Sequence, residues 1–98
     1  MAIDLHALVD QVNDERSFLH FVATLAADWE EEREIEAIKP SSPYGAGALG
    51  WENGTVGAVL DAAVRWGEAS IDGLRFYKKP ENPWQRAAQI LHAGKFYE

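Results

Sequence analysis

A stretch rich in proline and glycine, residues 36–50, is the feature that most limits how this chain can fold. Its prolines and glycines are Pro40, Pro43, Gly45, Gly47 and Gly50. Proline lacks a backbone N–H and glycine weakens both helices and strands, so the stretch excludes a regular helix or a central strand. The sequence therefore predicts a long loop here, inside a single domain that spans residues 1–98. A loop of this length is typically either functional or mobile.

Apolar residues recur at helical spacing on both sides of this loop. In the second predicted helix the stripe consists of Phe18, Phe21, Val22, Leu25 and Trp29. The predicted helices cover about residues 4–11, about residues 14–34, from Asn53 or Thr55 to Glu68 or Ser70, and from Pro83 to His92 or Ala93. No second strand is available to pair with the apolar residues of segment 74–77. The sequence predicts an all-α fold, a small single-domain bundle of about four helices, of which the first is short.

The third and fourth helices carry the clearest local signals. Asn82 at the cap and Pro83 at the first helical position mark a helix start, and Gly94 is typical of a helix stop. The third helix lies between Trp51 and Trp66 and is predicted to be the central packing helix. Its small residues predict the close approach of a neighbouring helix; they are Gly57, Ala58, Ala62, Ala63 and Gly67.

Negative charge is concentrated in the first two thirds of the chain. The net charge is −7, with 3 Lys/Arg against 12 Asp/Glu in residues 1–64 and 6 against 4 in residues 65–98. An acidic chain repels phosphate backbones, so nucleic-acid binding is disfavoured. A basic protein partner would be attracted to the N-terminal part. The alternative interpretation is that the acidity only keeps the protein in solution.

An acidic cluster lies at the C-terminal end of the second helix, where the helix dipole disfavours negative charge. Its members Asp28, Glu31 and Glu32 share one face at i, i+3 and i+4. The cluster is interpreted as a docking face for a basic partner or, alternatively, as a solvated helix end. A contact with the positive residues of segment 75–79 is a further interpretation. No metal site is predicted, because magnesium and calcium usually need ligands from more than one element.

The run Gly45-Ala46-Gly47-Ala48-Leu49-Gly50 matches the spacing of a dinucleotide-binding fingerprint. That fingerprint requires a preceding strand and a following helix in a βαβ unit, which this sequence does not offer. No cofactor is therefore predicted. Tyr44 and Leu49 are instead candidate contacts with a protein partner if they are exposed, and core residues otherwise.

The residues that usually carry catalysis are absent or scattered. The chain has no cysteine, which excludes disulfides, thiolate catalysis and zinc–thiolate sites. His6, His20 and His92 belong to three different predicted helices with no motif around them, so no catalytic residue is predicted. The N-terminus lacks the pattern of a signal peptide, and no apolar run approaches the about 20 residues of a membrane helix. The default expectation is a cytoplasmic protein without membrane contact.

Several segments together resemble a known family of small acidic bacterial proteins, domain of unknown function 7660. The segments are Ser17-Phe18-Leu19-x-Phe21-Val22, Trp51-x-Asn53 before a helix that ends in Trp66, Glu81-Asn82-Pro83 followed by Ala88-x-Ile90-Leu91, and Tyr97-Glu98. The resemblance covers nearly the whole chain. The chain departs from the family pattern in the glycine-rich stretch 45–50, which resembles an insertion, and at Gly57. The family is functionally uncharacterised, so the resemblance implies no catalytic residue.

Small acidic bacterial domains of this kind often occur as immunity proteins beside toxins. The leading hypothesis is therefore a protein-binding module, in the form of an immunity-type inhibitor of a basic toxin. One alternative is a homo-oligomeric structural or adaptor domain, in the simplest case a homodimer. The other is a small-molecule-binding protein or enzyme with a pocket near residues 40–50, which would require a histidine and a carboxylate within hydrogen-bonding distance.

Overall fold

The computed structural model describes residues 4–98, and within them it contains four helices and no strand. The helices are α1 (Leu5–Val9), α2 (Glu15–Ile38), α3 (Val56–Ala69) and α4 (Pro83–Phe96). The prediction of a small all-α bundle with a short first helix is confirmed. Segment 74–77 forms a tight turn closed by an isolated bridge between Leu74 and Tyr77.

Side-chain caps begin all four helices, as their local sequences lead us to expect. Asp4 accepts a hydrogen bond from the N–H of Ala7, and Thr55 accepts one from the N–H of Ala58. Asp14 and Ser17 form a reciprocal capping box at the start of α2. Asn82 accepts from the first turn of α4. These polar residues fix where each helix begins.

Two predicted helix ends are wrong, and packing explains both. Helix α2 continues four residues beyond Glu34, because Glu36 in its last turn is used to hold the following loop. Gly94 does not stop α4 but lies inside it. A Cβ atom at Gly94 would lie 2.7 Å from the carbonyl oxygen of Val59, so the glycine allows α3 and α4 to approach closely. Its role is packing rather than termination.

Helix α4, not α3, is the central packing helix. Within residues 4–98, α4 contacts each of the other three helices, whereas α2 and α3 do not pack on each other. Ala62 and Ala63 of α3 are buried, as the small-residue pattern predicts, but Gly57 faces open space. Asn53 does not cap α3; its amide donates to the carbonyls of Gly94 and Tyr97 at the end of α4.

The hydrophobic core forms where α1, α2 and α4 meet, and Trp51 joins it from the loop. Its buried members are Leu5, Val9, Val12, Phe21, Leu25, Trp51 and Ala88. A helix as short as α1 is not stable alone, so its burial against α2 and α4 is what holds it. Among the described residues, no helix is both long enough and apolar enough to cross a membrane.

Candidate functional site

The acidic end of α2 points into the protein. Asp28 is 9% exposed and Glu32 is fully buried. One oxygen of Asp28 accepts a hydrogen bond from the Trp51 indole N–H at 2.8 Å and another from the Lys95 ammonium at 2.8 Å. The positive partners of this end are therefore Lys95 of α4, which pairs with Asp28, and Arg33 of α2 itself, which pairs with Glu32 at 2.7 Å. The predicted contact with segment 75–79 is wrong. A buried carboxylate needs such partners, because losing its hydration is costly.

Two tryptophans lie next to this ion pair. The rings of Trp29 and Trp51 meet edge to face, with centroids 5.1 Å apart. The Lys95 ammonium lies 5.5 Å from the Trp51 ring, and the Arg33 guanidinium lies 4.1 Å from the Trp29 ring. Each cation is attracted to the ring face it covers. Trp51 is thus held by α2 and α4 at once, although it precedes α3 in sequence.

Carboxylates of α2 hold the backbone of the loop from residue 39 to residue 50. Glu32 Oε1 accepts from the N–H of Leu49 at 2.9 Å and from the N–H of Trp51 at 3.4 Å. Glu36 accepts from the N–H of Ser41 at 2.6 Å and from that of Ala48 at 2.9 Å. Hydrogen bonding from Ser41 lowers the pKa of Glu36 below its usual value. We call Glu32 and Glu36, with these four N–H groups, the carboxylate clamp.

The glycines of the loop have structural roles in this clamp. A Cβ atom at Gly47 would overlap the carboxylate of Glu32, so the glycine leaves room for the position that this carboxylate holds. Gly50 has a φ of 90°, a conformation that other residues rarely adopt. In a nucleotide-binding loop such N–H groups would face a phosphate. Here the N–H groups of Ala48 and Leu49 are bonded to the protein's own carboxylates.

The five residues predicted to contact a partner have three different environments. Asp28 and Glu32 are buried and bonded within the chain, so they do not form an exposed docking face. Glu31 and Leu49 are half-buried, and Leu49 packs against the core. Tyr44 is 97% exposed. Only Tyr44 therefore lies open to a partner without any rearrangement.

A second notable region is an apolar groove beside α3. It has a volume of about 300 Å³ and lies between Trp29 and Trp51 on one side and Val56, Val59 and Leu60 on the other. It exists because α2 and α3 do not pack on each other. The spacing of apolar residues in α3 predicted a broad apolar face, but did not indicate that part of it stays uncovered.

Two of the three histidines, His6 and His92, line a recess that also contains the carboxylates of Asp4 and Asp28. His92 lies among the rings of His6, Phe21 and Phe96, and burial, then Lys95 and His6, lower its pKa to about 4. The recess has a volume of about 260 Å³ and joins His6 and His92 to Leu49. Within residues 4–98, no histidine side chain is hydrogen-bonded to a carboxylate, and no three residues of metal-ligand type cluster together.

Two buried cations of α4 were missed by the sequence reasoning. Lys95 pairs with Asp28, and Arg86 donates to the Ser70 hydroxyl, the Gly67 carbonyl and the Tyr77 hydroxyl. Arg86 thereby fixes the segment after α3 against α4. The sequence offered one indication of these buried charges. Lys95 and Arg86 each lie next to buried positions of α4, whose apolar face is narrow.

Comparison of the chain with protein-family models, with curated proteins and with solved structures finds no match. The resemblance to domain of unknown function 7660 therefore stays a prediction. What the protein does has to be inferred from the geometry described above.

Proposed function

We propose that this protein is a protein-binding module that presents the loop from residue 39 to residue 50 to its partner. One observation carries the proposal: Tyr44 is 97% exposed, on a loop whose backbone is held by Glu32 and Glu36. A large side chain displayed on a held backbone is a common arrangement in protein recognition. An unheld loop would have to be ordered on binding, which weakens affinity.

The composition of the exposed part of the loop supports the same role. Pro40 and Pro43 restrict the backbone, so less conformational entropy is lost on binding. Tyrosine offers a large contact area, a hydroxyl for hydrogen bonding and few rotatable bonds. Tyr44 is therefore the anchor residue of the proposed surface, with the two prolines on its N-terminal side.

The partner is proposed to be basic. Residues 1–64, which include the loop, carry 12 acidic against 3 basic side chains. Exposed Glu30 and Glu34 contribute to this charge from α2. Such a negative charge raises the rate of encounter with a positive partner, and this effect becomes weaker as the salt concentration increases. The buried Asp28 and Glu32 contribute to the fold, not to this contact.

An immunity-type inhibitor is the specific form that we propose for this module. It rests on the analogy with small acidic bacterial domains and on the basic partner inferred above. In that form, the loop would cover a functional surface of a toxin. A toxin gene immediately upstream in the source genome, and protection of cells that co-express both proteins, would support it.

Affinity capture with matched variants tests the proposal. The full chain, Tyr44→Ala and the control Phe76→Ala would be used as baits, and bound proteins quantified by mass spectrometry. Phe76 is 92% exposed but lies in the turn after α3, so it matches Tyr44 in exposure and not in position. A supporting result is one basic protein retained by the wild type and Phe76→Ala, lost at least tenfold with Tyr44→Ala, and weakened by salt.

Binding of the purified pair would then be measured by calorimetry. If Tyr44→Ala binds the captured protein as tightly as the wild type, the loop is not the docking surface. If the captured protein is acidic and its binding is insensitive to salt, the electrostatic part of the proposal fails.

A further inference from the structure

The outward face of α3 is an uncovered apolar stripe. Val56, Leu60 and Val64, at i, i+4 and i+8, are 77%, 55% and 55% exposed, and Ile71 just beyond the helix is 56% exposed. The neighbouring side of α3, with Ala62 and Ala63, is buried, and α3 packs on α4. Contiguous apolar surface of this kind on a small protein usually marks an interaction site. We call these four side chains the α3 stripe.

The total surface of the chain is larger than that of a compact monomer of its mass. The accessible surface is 6656 Å². A compact monomer of this 10.9 kDa mass is expected to expose about 5,600 Å², so the excess is roughly 1,100 Å². The radius of gyration, 13.8 Å, also exceeds the about 12.6 Å of a compact domain of this length. Each partner in a standard interface buries about 800 Å², which is similar to the excess.

The α3 stripe is complementary to itself. If two copies of α3 cross antiparallel about a two-fold axis beside Val64, the apolar stripe of one copy faces that of the other. The same axis places Val56 opposite Ile71 of the second copy. Isologous packing of this kind is how most homodimers form.

The charges beside the stripe also match under this symmetry. Asp61 and Arg65 flank it and are hydrogen-bonded to each other at 3.0 Å within the chain. Antiparallel packing brings Asp61 of one copy next to Arg65 of the other on both sides of the axis. One acidic and one basic residue suit a second copy better than they suit a partner of a single charge sign.

We propose that the α3 stripe is the interface of a homodimer in solution, with two copies of α3 packed antiparallel. This proposal does not depend on the loop that contains Tyr44, because the two surfaces share no residue. A dimer would display two such loops, so that a bivalent partner would be bound with avidity.

Analytical ultracentrifugation of the full chain over a concentration series tests the dimer. We expect a species of twice the 10.9 kDa chain mass, with a Kd in the micromolar range or below. The variant Leu60→Glu/Val64→Glu places four acidic groups in the interface and should raise the Kd by at least about 100-fold. Leu19→Glu is the matched control, because Leu19 on α2 is 58% exposed. Circular dichroism would verify that all variants are folded.

Charge reversal tests the orientation of the two helices. Asp61→Arg or Arg65→Asp alone brings like charges together across the axis and should raise the dimer Kd about tenfold. The double reversal should restore the Kd of the wild type. If the double reversal gives no recovery, Asp61 and Arg65 do not meet across the axis, and the antiparallel arrangement is wrong.

A wild-type chain that stays monomeric up to concentrations on the order of 1 mM would overturn the proposal. The proposal would also be overturned if Leu19→Glu raised the dimer Kd as much as Leu60→Glu/Val64→Glu does. A third outcome is a monomeric chain that captures a different protein through the stripe. In that case Leu60→Glu/Val64→Glu no longer captures this protein, Tyr44→Ala still does, and the homodimer is wrong. If Tyr44→Ala does not weaken capture of the protein partner, recognition through the loop is contradicted and the homodimer is unaffected.

Discussion

The end of α2, which precedes the long loop, and helix α3, which follows it, use their side chains in opposite ways. At the end of α2, charged residues are inside: Asp28 and Glu32 are buried, the first paired with Lys95 and the second with Arg33. On α3, apolar residues are outside, with Val56 and Leu60 more than half exposed. The difference shows that a side chain of this protein is buried where the chain supplies a partner for it, whether the side chain is charged or apolar. The acids have partners within the chain, whereas no other part of residues 4–98 covers the α3 stripe.

This contrast separates two effects of a substitution. One is a loss of stability of the monomer, and the other is a loss of association with a partner. A buried charge that loses its partner destabilises the monomer, because nothing replaces the lost hydration. An exposed apolar group that is changed leaves the monomer nearly as stable. Substitutions at the α2 end should therefore change the free energy of unfolding, and substitutions on the α3 stripe should change association.

Replacing Lys95 by methionine should give the largest loss. It leaves the Asp28 carboxylate buried with only the Trp51 indole as a donor, and we expect the free energy of unfolding to fall by about 3–5 kcal/mol. Urea denaturation at pH 7 measures it. Lys78→Met, at an exposed position, should change stability by less than about 0.5 kcal/mol.

Adding Asp28→Asn to Lys95→Met should restore more than half of that loss. The asparagine oxygen can still accept from the indole, and no unpaired charge stays buried. A single Lys95→Met variant as stable as the wild type would show that the ion pair is not what holds Trp51.

Replacing Gly47 by alanine should have the next largest effect. The new Cβ would overlap Glu32 Oε1, so the carboxylate must move away from the N–H groups of Leu49 and Trp51. We expect a loss of about 1–3 kcal/mol by urea denaturation. Gly45→Ala is the matched control in the same loop, since a Cβ there meets nothing within 4 Å. Equal effects of the two substitutions would contradict the close approach of Glu32.

Lowering the pH from 7 to 5 should destabilise the protein through His92. Its pKa is about 4 in the folded state, chiefly because it is buried, against an ordinary value of 6.5. The unfolded state therefore binds the proton first, and stability falls as the pH drops below 6.5 towards 4. Asp28 on α2 and Asp4 before α1 oppose the lowering of this pKa, while Lys95 and His6 add to it. The ring is partly exposed, so the effect should be smaller than that of the two substitutions above.

The dependence on His92 is measured by urea denaturation at pH 7, 6 and 5. His92→Gln should show a shallower decline than the wild type, whereas His20→Gln, at an exposed position on α2, should keep the wild-type slope. Parallel curves for the wild type and His92→Gln would exclude a neutral, buried His92.

Replacing Leu60 by glutamine should have the smallest effect on the monomer. The side chain is 55% exposed, so at concentrations below the dimer Kd the free energy of unfolding should change by less than about 0.5 kcal/mol. Leu25→Gln on α2 is the contrasting change, because Leu25 is 7% exposed and its loss from the core should be severe. A large loss with Leu60→Gln in the monomer would mean that the stripe is covered within the chain.

Local signals in the sequence predicted the helices and most of their starts. Asp14 and Asn82 act as caps because a side-chain oxygen next to free backbone N–H groups needs no distant partner. The long loop follows equally directly from Pro40 and Pro43. Features governed by the nearest few residues could therefore be predicted.

The features that depend on distant residues could not be predicted. Lys95 pairs with Asp28, which lies 67 positions earlier in the sequence, and no local sequence pattern indicates such a pair. Gly94 has the composition of a helix stop, and its role in packing becomes visible only when Val59 is placed beside it. The acidic end of α2 looks like an exposed face for the same reason, because the N–H groups that use Glu32 and Glu36 come from the following loop. Within the candidate site, the exposure of Tyr44 was left open for this reason too.

The carboxylate clamp also has a consequence for the order in which the chain assembles. Its hydrogen bonds join residues that are 5 to 19 positions apart, whereas the bond from Lys95 to Asp28 joins residues 67 positions apart. Closing a short segment loses less chain entropy and is faster than closing a long one. On chain entropy alone, we expect helix α2, the loop and Trp51 to assemble before α4 packs on them. In that order, the loop that we propose for recognition would form before the core around it is closed.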